Sequence, residues 1–350
     1  MTIKPSILLI YTGGTIGMIK DYKTKALKTF DFSQIVDKIP ELQQLNCKIK
    51  SISFDEPIDS SNMNTKYYVE IVEIIEENYQ EFDGFVVLTG SDSMSFASSA
   101  ISFMIENLQK PVIFTGSQLP IGDLRTDAKE NLITAIEIAS ATKNGAPIIN
   151  EVCLYFEYKL YRANRTTKIS AEQFEAFASM NFPPLAESGV HLKFHEHLIH
   201  QPKKTETTLI VRKKLVDDVV FLKIFPGISD IVVQSILNIP NLKGVILETY
   251  GSGNAPNSEN FIQLLKNAID KGIKIINVTQ CESGRVLMGH YDTSLLLKKI
   301  GVIDGKDITS ESAVAKLMYL LNQNLSTEDF KCFFEKSLRG EITDISFLKV

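Results

Sequence analysis

Three groups of side chains have the types needed to open a carbonyl. The first is Thr15, reached through Ser6-Ile7-Leu8-Leu9-Ile10-Tyr11-Thr12-Gly13-Gly14. The apolar run is short and mostly aliphatic, which reads as a buried strand. Two glycines directly after it permit a tight turn and close approach of backbone to a ligand. A hydroxyl just past the carboxyl end of a strand sits where open α/β sheets bind ligands. It becomes a nucleophile when a neighbour takes its proton. The second group is Ser91-Asp92, and the third is Lys168 in Tyr161-Arg162-Ala163-Asn164-Arg165-Thr166-Thr167-Lys168. With no histidine suitably placed, a lysine can act as base if burial and neighbours favour its neutral form. A carboxylate such as Asp92 can orient that lysine, and a hydroxyl such as Ser91 can relay a proton or hold a water. Each piece also has an ordinary reading: a turn, a helix cap and a solvated surface charge.

The elements that must position these groups repeat one pattern. Residues 85–88 read as a buried strand leaving through Thr89-Gly90-Ser91-Asp92-Ser93, and residues 111–114 as another leaving through Thr115-Gly116-Ser117-Gln118. Three strands therefore end in Thr-Gly with a hydroxyl residue close behind, and parallel strands bring those loops to one sheet edge. Strands are also expected over 48–54 and 151–156, and helices over 67–79, 96–108 and 127–141. Such alternation means a mostly parallel sheet covered on both faces. Asp59-Ser60-Ser61-Asn62-Met63 reads as a loop running into an N-cap, and Asp123 and Asp127 as a turn and a cap. Residues 21–29 are polar and aperiodic, a segment that can serve as a lid, and residues 32–39 read as a short helix closed by Pro40. Residues 191–217 lose apolar periodicity and read as a linker. A second alternation follows, with strands over 219–224, 244–247 and 273–278 and helices over 231–237, 261–270 and 312–321. A length of 350 residues favours two domains. The expected division is an N-terminal α/β domain over 1–190, a linker over 191–217 and a smaller C-terminal α/β domain over 218–350.

Composition narrows the function classes. A net charge of -5 without a basic stripe argues against nucleic-acid binding. Cys47, Cys153, Cys281 and Cys332 are too far apart for a disulfide framework or a metal motif, which favours a reducing compartment. The Gly-Gly turn interrupts the N-terminal apolar run before it could form a signal-peptide core, and no run is long enough to span a bilayer. These features predict a cytoplasmic protein. His191, His195, His197 and His200 include an i, i+4 pair that could bind metal on a helix. Without a cysteine or an organised carboxylate set they read as part of a polar linker. Cys281, directly after a strand, reads as a small buried residue. Gly13-Gly14-x-x-Gly17 weakly matches a dinucleotide-binding fingerprint, but the spacing is wrong and no acidic residue ends a following strand at the expected distance.

The chain resembles the type I (cytoplasmic) L-asparaginases of the asparaginase/glutaminase superfamily. The matching stretches are residues 11–18, 59–63, 83–94, 111–120, 160–168, 177–179, 250–256 and 277–281, in order along nearly the whole chain. The resemblance implies a two-domain asparaginase-like α/β fold and no metal or organic cofactor. It implies that Thr15 attacks the side-chain amide carbon of L-asparagine to give a β-aspartyl ester and ammonia, and that water then hydrolyses the ester. Ser91, Asp92 and Lys168 would form the group that activates nucleophile and water. Asp59, Ser60 and Ser61 would bind the α-amino and α-carboxylate groups, with Asp92 sharing the amino contact. Backbone N–H groups near Ser91 and Ser117 would stabilise the oxyanion. The assembly implied is a homodimer, or a dimer of dimers, in which Asn254 reaches the partner's site.

The sequence departs from the family pattern at three places. The usual His-Gly-Thr-Asp-Thr is Thr89-Gly90-Ser91-Asp92-Ser93 here, so the hydroxyl is kept but the methyl that stiffens χ1 is gone. Activity is expected to persist with looser geometry. A tyrosine common in the mobile loop aligns with Lys25, leaving the offset Tyr22 as the candidate lid residue. An arginine expected in a second, regulatory asparagine site is Glu248, although Thr167, Thr279 and Cys281 match its lining. A carboxylate there repels the ligand's own carboxylate, so no regulation by asparagine is expected. Alternatives are a glutaminase-type amidase, an amidotransferase subunit, which normally carries an extra N-terminal domain, and a catalytically weakened homologue that only binds amino acids.

Overall fold

Ile7, Leu8, Leu9, Ile10 and Tyr11 are each no more than 1% exposed, so the strand they build, β1 (Ser6–Gly13), has no solvent face. That is the burial of a strand inside a parallel sheet with both faces covered. The computed structural model describes residues 4–20, 27–29, 39–201, 208–289 and 292–344. They fall into two compact units. One holds the described residues up to Ser179 together with Pro183–Lys213, and the other holds Met180–Phe182 and the described residues from Lys214 onward.

In the first unit, β2 (Lys48–Ile58) and β3 (Gly84–Leu88) pair in parallel on either side of β1. β4 (Val112–Thr115) and β5 (Val152–Phe156) extend the parallel set beyond β3. β6 (Lys159–Arg162), β7 (Ala186–Glu187) and β8 (Lys193–Phe194) continue it antiparallel. The eight-stranded order is β8-β7-β6-β5-β4-β3-β1-β2. The three strands that end in Thr-Gly are thus adjacent and parallel, as expected. Helices α1 (Thr65–Asn78), α2 (Met94–Met104) and α3 (Ala128–Ser140) connect the parallel strands. Asn64 caps α1 by accepting from the Lys66 N–H, where the polar loop predicts a cap.

Some expected boundaries move. The helix read over 96–108 ends at Met104, and Ile105–Glu106 pairs with Ile210–Val211 instead. Asn107 has a φ of 60°, a left-handed conformation through which a helix does not continue. Pro40 opens a short 3-10 turn, Pro40–Gln44, rather than closing a helix; its fixed φ suits a first helical position. Most of the 32–39 helix lies outside the described residues. Of the 21–29 segment, Leu27–Thr29 is a strand antiparallel to Met18–Lys20.

The second unit is a four-stranded parallel sheet, β9 (Val219–Lys223), β10 (Gly244–Thr249), β11 (Lys274–Thr279) and β12 (Ile303–Asp304), in that order. Its core joins Leu222, Val245, Leu247, Phe261, Leu265 and Ile275. Helices α4 (Asp230–Leu237), α5 (Glu259–Asp270) and α7 (Ser310–Leu321) match expectation, whereas α6 (Asp292–Lys299) and α8 (Thr327–Glu335) were not read from the sequence. Cys281 corrects an expectation: it is exposed, because it follows β11 in a turn outside the sheet. Among the described residues no helix is long and apolar enough to cross a membrane.

β5 and β6 are joined by Glu157 and Tyr158, both with positive φ (43° and 68°), which is the backbone of a tight hairpin turn. The turn holds Glu157 partly out of water, near the carboxylates of Asp127, Glu130 and Glu175. Desolvation first, then those charges, raises its carboxyl to about 7. Because the folded state favours the protonated acid, this group's contribution is present below the ordinary carboxylate range and is lost as pH rises toward 7. Glu157→Gln is therefore expected to leave the urea midpoint nearly unchanged at pH 4 and to raise it progressively between pH 5 and 8. A difference that is constant across that range contradicts the assignment.

Candidate active site

The β1 and β3 exit loops approach each other without an intervening side chain. A Cβ on Gly14, which has a φ of +85°, would lie 2.4 Å from the Gly90 nitrogen, and a Cβ on Gly90 would lie 2.5 Å from Ser60 Oγ. Neither position has room for one. Thr12 Oγ1 donates to the Leu88 carbonyl (3.1 Å) and Ser93 Oγ to the Ser60 carbonyl (2.6 Å). The Thr15, Ser91 and Ser60 loops are thereby stacked in sequence at the carboxyl edge of β1 and β3. Thr15 is half-buried and starts a single turn, Thr15–Gly17. Beneath it the Tyr11 hydroxyl donates to the Gly14 carbonyl (3.4 Å), and burial raises that phenol to about 12, so it stays protonated.

Lys168 comes to the same place by a longer route. After β6 the chain forms a short turn, Ala163–Arg165, against α2. There Asn164 Nδ2 donates to Ser102 Oγ (3.2 Å), and Thr166 Oγ1 lies 3.1 Å from Ser95 Oγ. It then forms Thr167–Lys168, paired antiparallel with Phe177–Ala178. Because α2 begins directly after Ser91-Asp92-Ser93, the same helix carries the hydroxyl and carboxylate at its start and anchors the approach of the lysine along its side. Lys168 Nζ donates to Ser91 Oγ at 2.9 Å and to Asp92 Oδ1 at 2.7 Å. The lysine side chain is 17% exposed and that of Asp92 70% exposed. An ion pair this open contributes little stability; it fixes where the amine lies.

The structure thus joins Ser91, Asp92 and Lys168 by direct hydrogen bonds, and the Gly14–Gly90 contact sets the loop that carries Thr15 beside the loop that carries Ser91. Asp59 and Ser60 adjoin them through the Gly90 contact. Asp59 caps the turn Ser60–Asn62 by accepting from the Ser61 N–H and hydroxyl, both at 2.8 Å. These bonds, the backbone one foremost, lower its carboxyl pKa and keep it anionic at neutral pH. Ser117 lies in the β4 exit loop, buried, with its hydroxyl donating to the Leu119 carbonyl (2.6 Å). Asp127 makes no side-chain cap on α3. Its carboxylate instead accepts from the Gln118 and Leu119 N–H groups (2.8 and 3.1 Å), bracing the β4 exit loop. Sequence reading missed that role, and it missed Gln118, whose side-chain carbonyl accepts from Ser91 Oγ at 3.1 Å. Adjacency to a Thr-Gly exit loop was the only signal available for either.

Asn254 belongs to the second unit, in a turn closed by reciprocal backbone bonds with Tyr250 (both 2.9 Å). Tyr22 lies outside the described residues. Glu248, on β10, accepts from Ser310 Oγ (2.6 Å) and lies 3.7 Å from Lys223 Nζ. His195 and His197 meet edge to face, 6.3 Å between ring centres, yet among the described residues no three His, Cys, Asp or Glu side chains gather in a way that could hold a metal ion.

Comparison with known proteins identifies the family. Residues 6–200 match the family model described as "Asparaginase, N-terminal", and residues 218–334 match "Glutaminase/Asparaginase C-terminal domain". The chain is 42% identical to L-asparaginase 1 of Escherichia coli (strain K12) over 97% of its own length and 98% of that protein's. It is 39% identical to the 60 kDa lysophospholipase of Mus musculus, across 96% of this chain and 62% of that one. The crystal structure of L-asparaginase I from Vibrio cholerae superposes with a TM-score of 0.88 at 38% identity, covering 97% of this chain and 100% of the other. With both family models matched in order along most of its length, the chain belongs to the asparaginase/glutaminase family.

Proposed function

We propose that this protein is an L-asparaginase that hydrolyses L-asparagine to L-aspartate and ammonia through a threonine acyl-enzyme. The observation that carries the reading is the Lys168 amine bridging Ser91 Oγ and Asp92 Oδ1, next to a loop that the Gly14–Gly90 contact ties to Thr15. In this reading Thr15 Oγ bonds to the side-chain amide carbon while its proton passes to the Ser91–Lys168 group. The carbonyl π bond opens to an oxyanion, which the exit-loop N–H groups near Ser91 and Ser117 stabilise. Collapse of the oxyanion breaks the C–N bond, and the departing nitrogen takes a proton and leaves as ammonia. Water, deprotonated by the same group, attacks the ester and returns Thr15 to its hydroxyl form. The anionic Asp59 and the exposed Asp92 suit the substrate's α-ammonium, and the Ser60 and Ser61 loop suits its α-carboxylate. Holding both fixes the amide against the nucleophile.

We further propose a cytosolic homodimer, or a dimer of dimers, in which Asn254 completes the partner's site. The second unit supports self-association by exposing Phe225 (56%), Ile231 (75%) and Val232 (47%). The domain division at residues 191–217 remains part of the same proposal. So does the absence of asparagine regulation, since the Glu248 carboxylate is committed to Ser310 and neighbours Lys223.

Ammonia release from L-asparagine, L-glutamine and D-asparagine tests the function. L-asparagine is expected to give the highest kcat/KM, and Thr15→Ala or Lys168→Met to lower kcat by about 10³-fold or more with the fold intact. A Thr15→Ala protein that keeps turnover rules the mechanism out, and a preference for L-glutamine favours the glutaminase alternative. Initial rates are expected to rise hyperbolically with L-asparagine; a sigmoidal curve contradicts the role given to Glu248.

A further inference from the structure

We propose that Gln118 is a positioning residue for the reaction, holding Ser91 Oγ in the rotamer that meets Lys168. The inference rests on the reading above, in which Ser91 and Lys168 handle the proton. Serine has three staggered χ1 wells, and without a γ-methyl no steric term selects the one aimed at the lysine. The hydrogen bond from Ser91 Oγ to Gln118 Oε1 (3.1 Å) makes that selection. It also settles the direction of the hydroxyl. In the resting geometry Lys168 Nζ donates to Ser91 Oγ (2.9 Å), and the serine hydroxyl is directed at Gln118 Oε1.

The orientation of the glutamine is itself fixed. Its Nε2 donates to the Gln173 carbonyl (3.0 Å), an atom that can only accept, so Oε1 must face Ser91. Its backbone N–H is held by Asp127 Oδ2 (2.8 Å). Gln173 lies in the loop between Thr167–Lys168 and Phe177–Ala178, the hairpin that carries Lys168. Its own N–H is tied to Ser170 Oγ (3.0 Å). Gln118 therefore closes a ring: lysine to serine, serine to glutamine, and glutamine back to the lysine's own hairpin. A glutamine clamped at both ends of its side chain and at its backbone gives up little further freedom when it directs Ser91.

The ring does what a γ-methyl would do by crowding, so the two devices substitute for one another. Gln118→Leu is expected to lower kcat on L-asparagine by about tenfold, the worth of one hydrogen bond. KM should stay within about twofold. Ser91→Thr added to Gln118→Leu should restore kcat to within about threefold of the parent. Gln118→Met, of the same length but without the amide, replaces Gln118→Leu if that protein does not fold. An unchanged kcat, a loss confined to KM, or a tenfold loss that Ser91→Thr does not relieve overturns the inference. Full turnover by Lys168→Met refutes the underlying mechanism whatever Gln118 does. Loss of turnover there with no effect at Gln118 refutes this inference alone.

Discussion

The site depends on a backbone contact that leaves no room for a side chain. Gly14 and Gly90 touch where β1 and β3 release their exit loops, and Gly90 in turn touches Ser60. Both loops leave adjacent parallel strands in register, Tyr11 opposite Leu88, so the sheet sets their height and the glycines set their separation. A close-packed interior transmits such spacing with little slack. The loop that carries Thr15 and the loop that carries Ser91 and Asp92 are brought together by the parts of the chain with the fewest atoms.

Helix α2 supplies the second constraint. Its first turn follows Ser93, and its buried serines Ser95 and Ser102 receive the chain that leads to Lys168. A lysine carried on a free loop would sample many positions at an entropic cost when it is ordered. Here the backbone is docked before the side chain begins, and Gln118 links the far side of the same hairpin to Ser91. Catalytic groups held by elements that are already packed lose little freedom on reaching the productive geometry.

Much of this was legible in the sequence because it rests on local rules. Continuous apolar runs of four to six residues marked β1, β3 and β4 as strands buried in a parallel sheet. The Thr-Gly dipeptides after them placed three exit loops along one edge, and residue types picked out Thr15, Ser91, Asp92 and Lys168. What escaped depends on contacts distant in sequence. Asp127 looked like a cap because caps are aspartates, but its carboxylate serves the loop at residues 118 and 119. Gln118 carried no signature, since an amide's role is set by what surrounds it. The early end of α2 at Met104 followed from pairing with Ile210–Val211, about a hundred residues away, which no local window contains. Cys281 was misread as buried because the strand before it ends at Thr279 and the turn then leaves the sheet.

In the proposed mechanism these contacts seat an amide carbon directly against Thr15. A crystal structure of the Lys168→Met protein with L-asparagine bound tests it most directly. The side-chain amide carbon is expected at about 3–3.5 Å from Thr15 Oγ, with the α-ammonium on Asp59 and Asp92. A substrate bound away from these carboxylates, or with its amide carbon out of reach of Thr15, would contradict it.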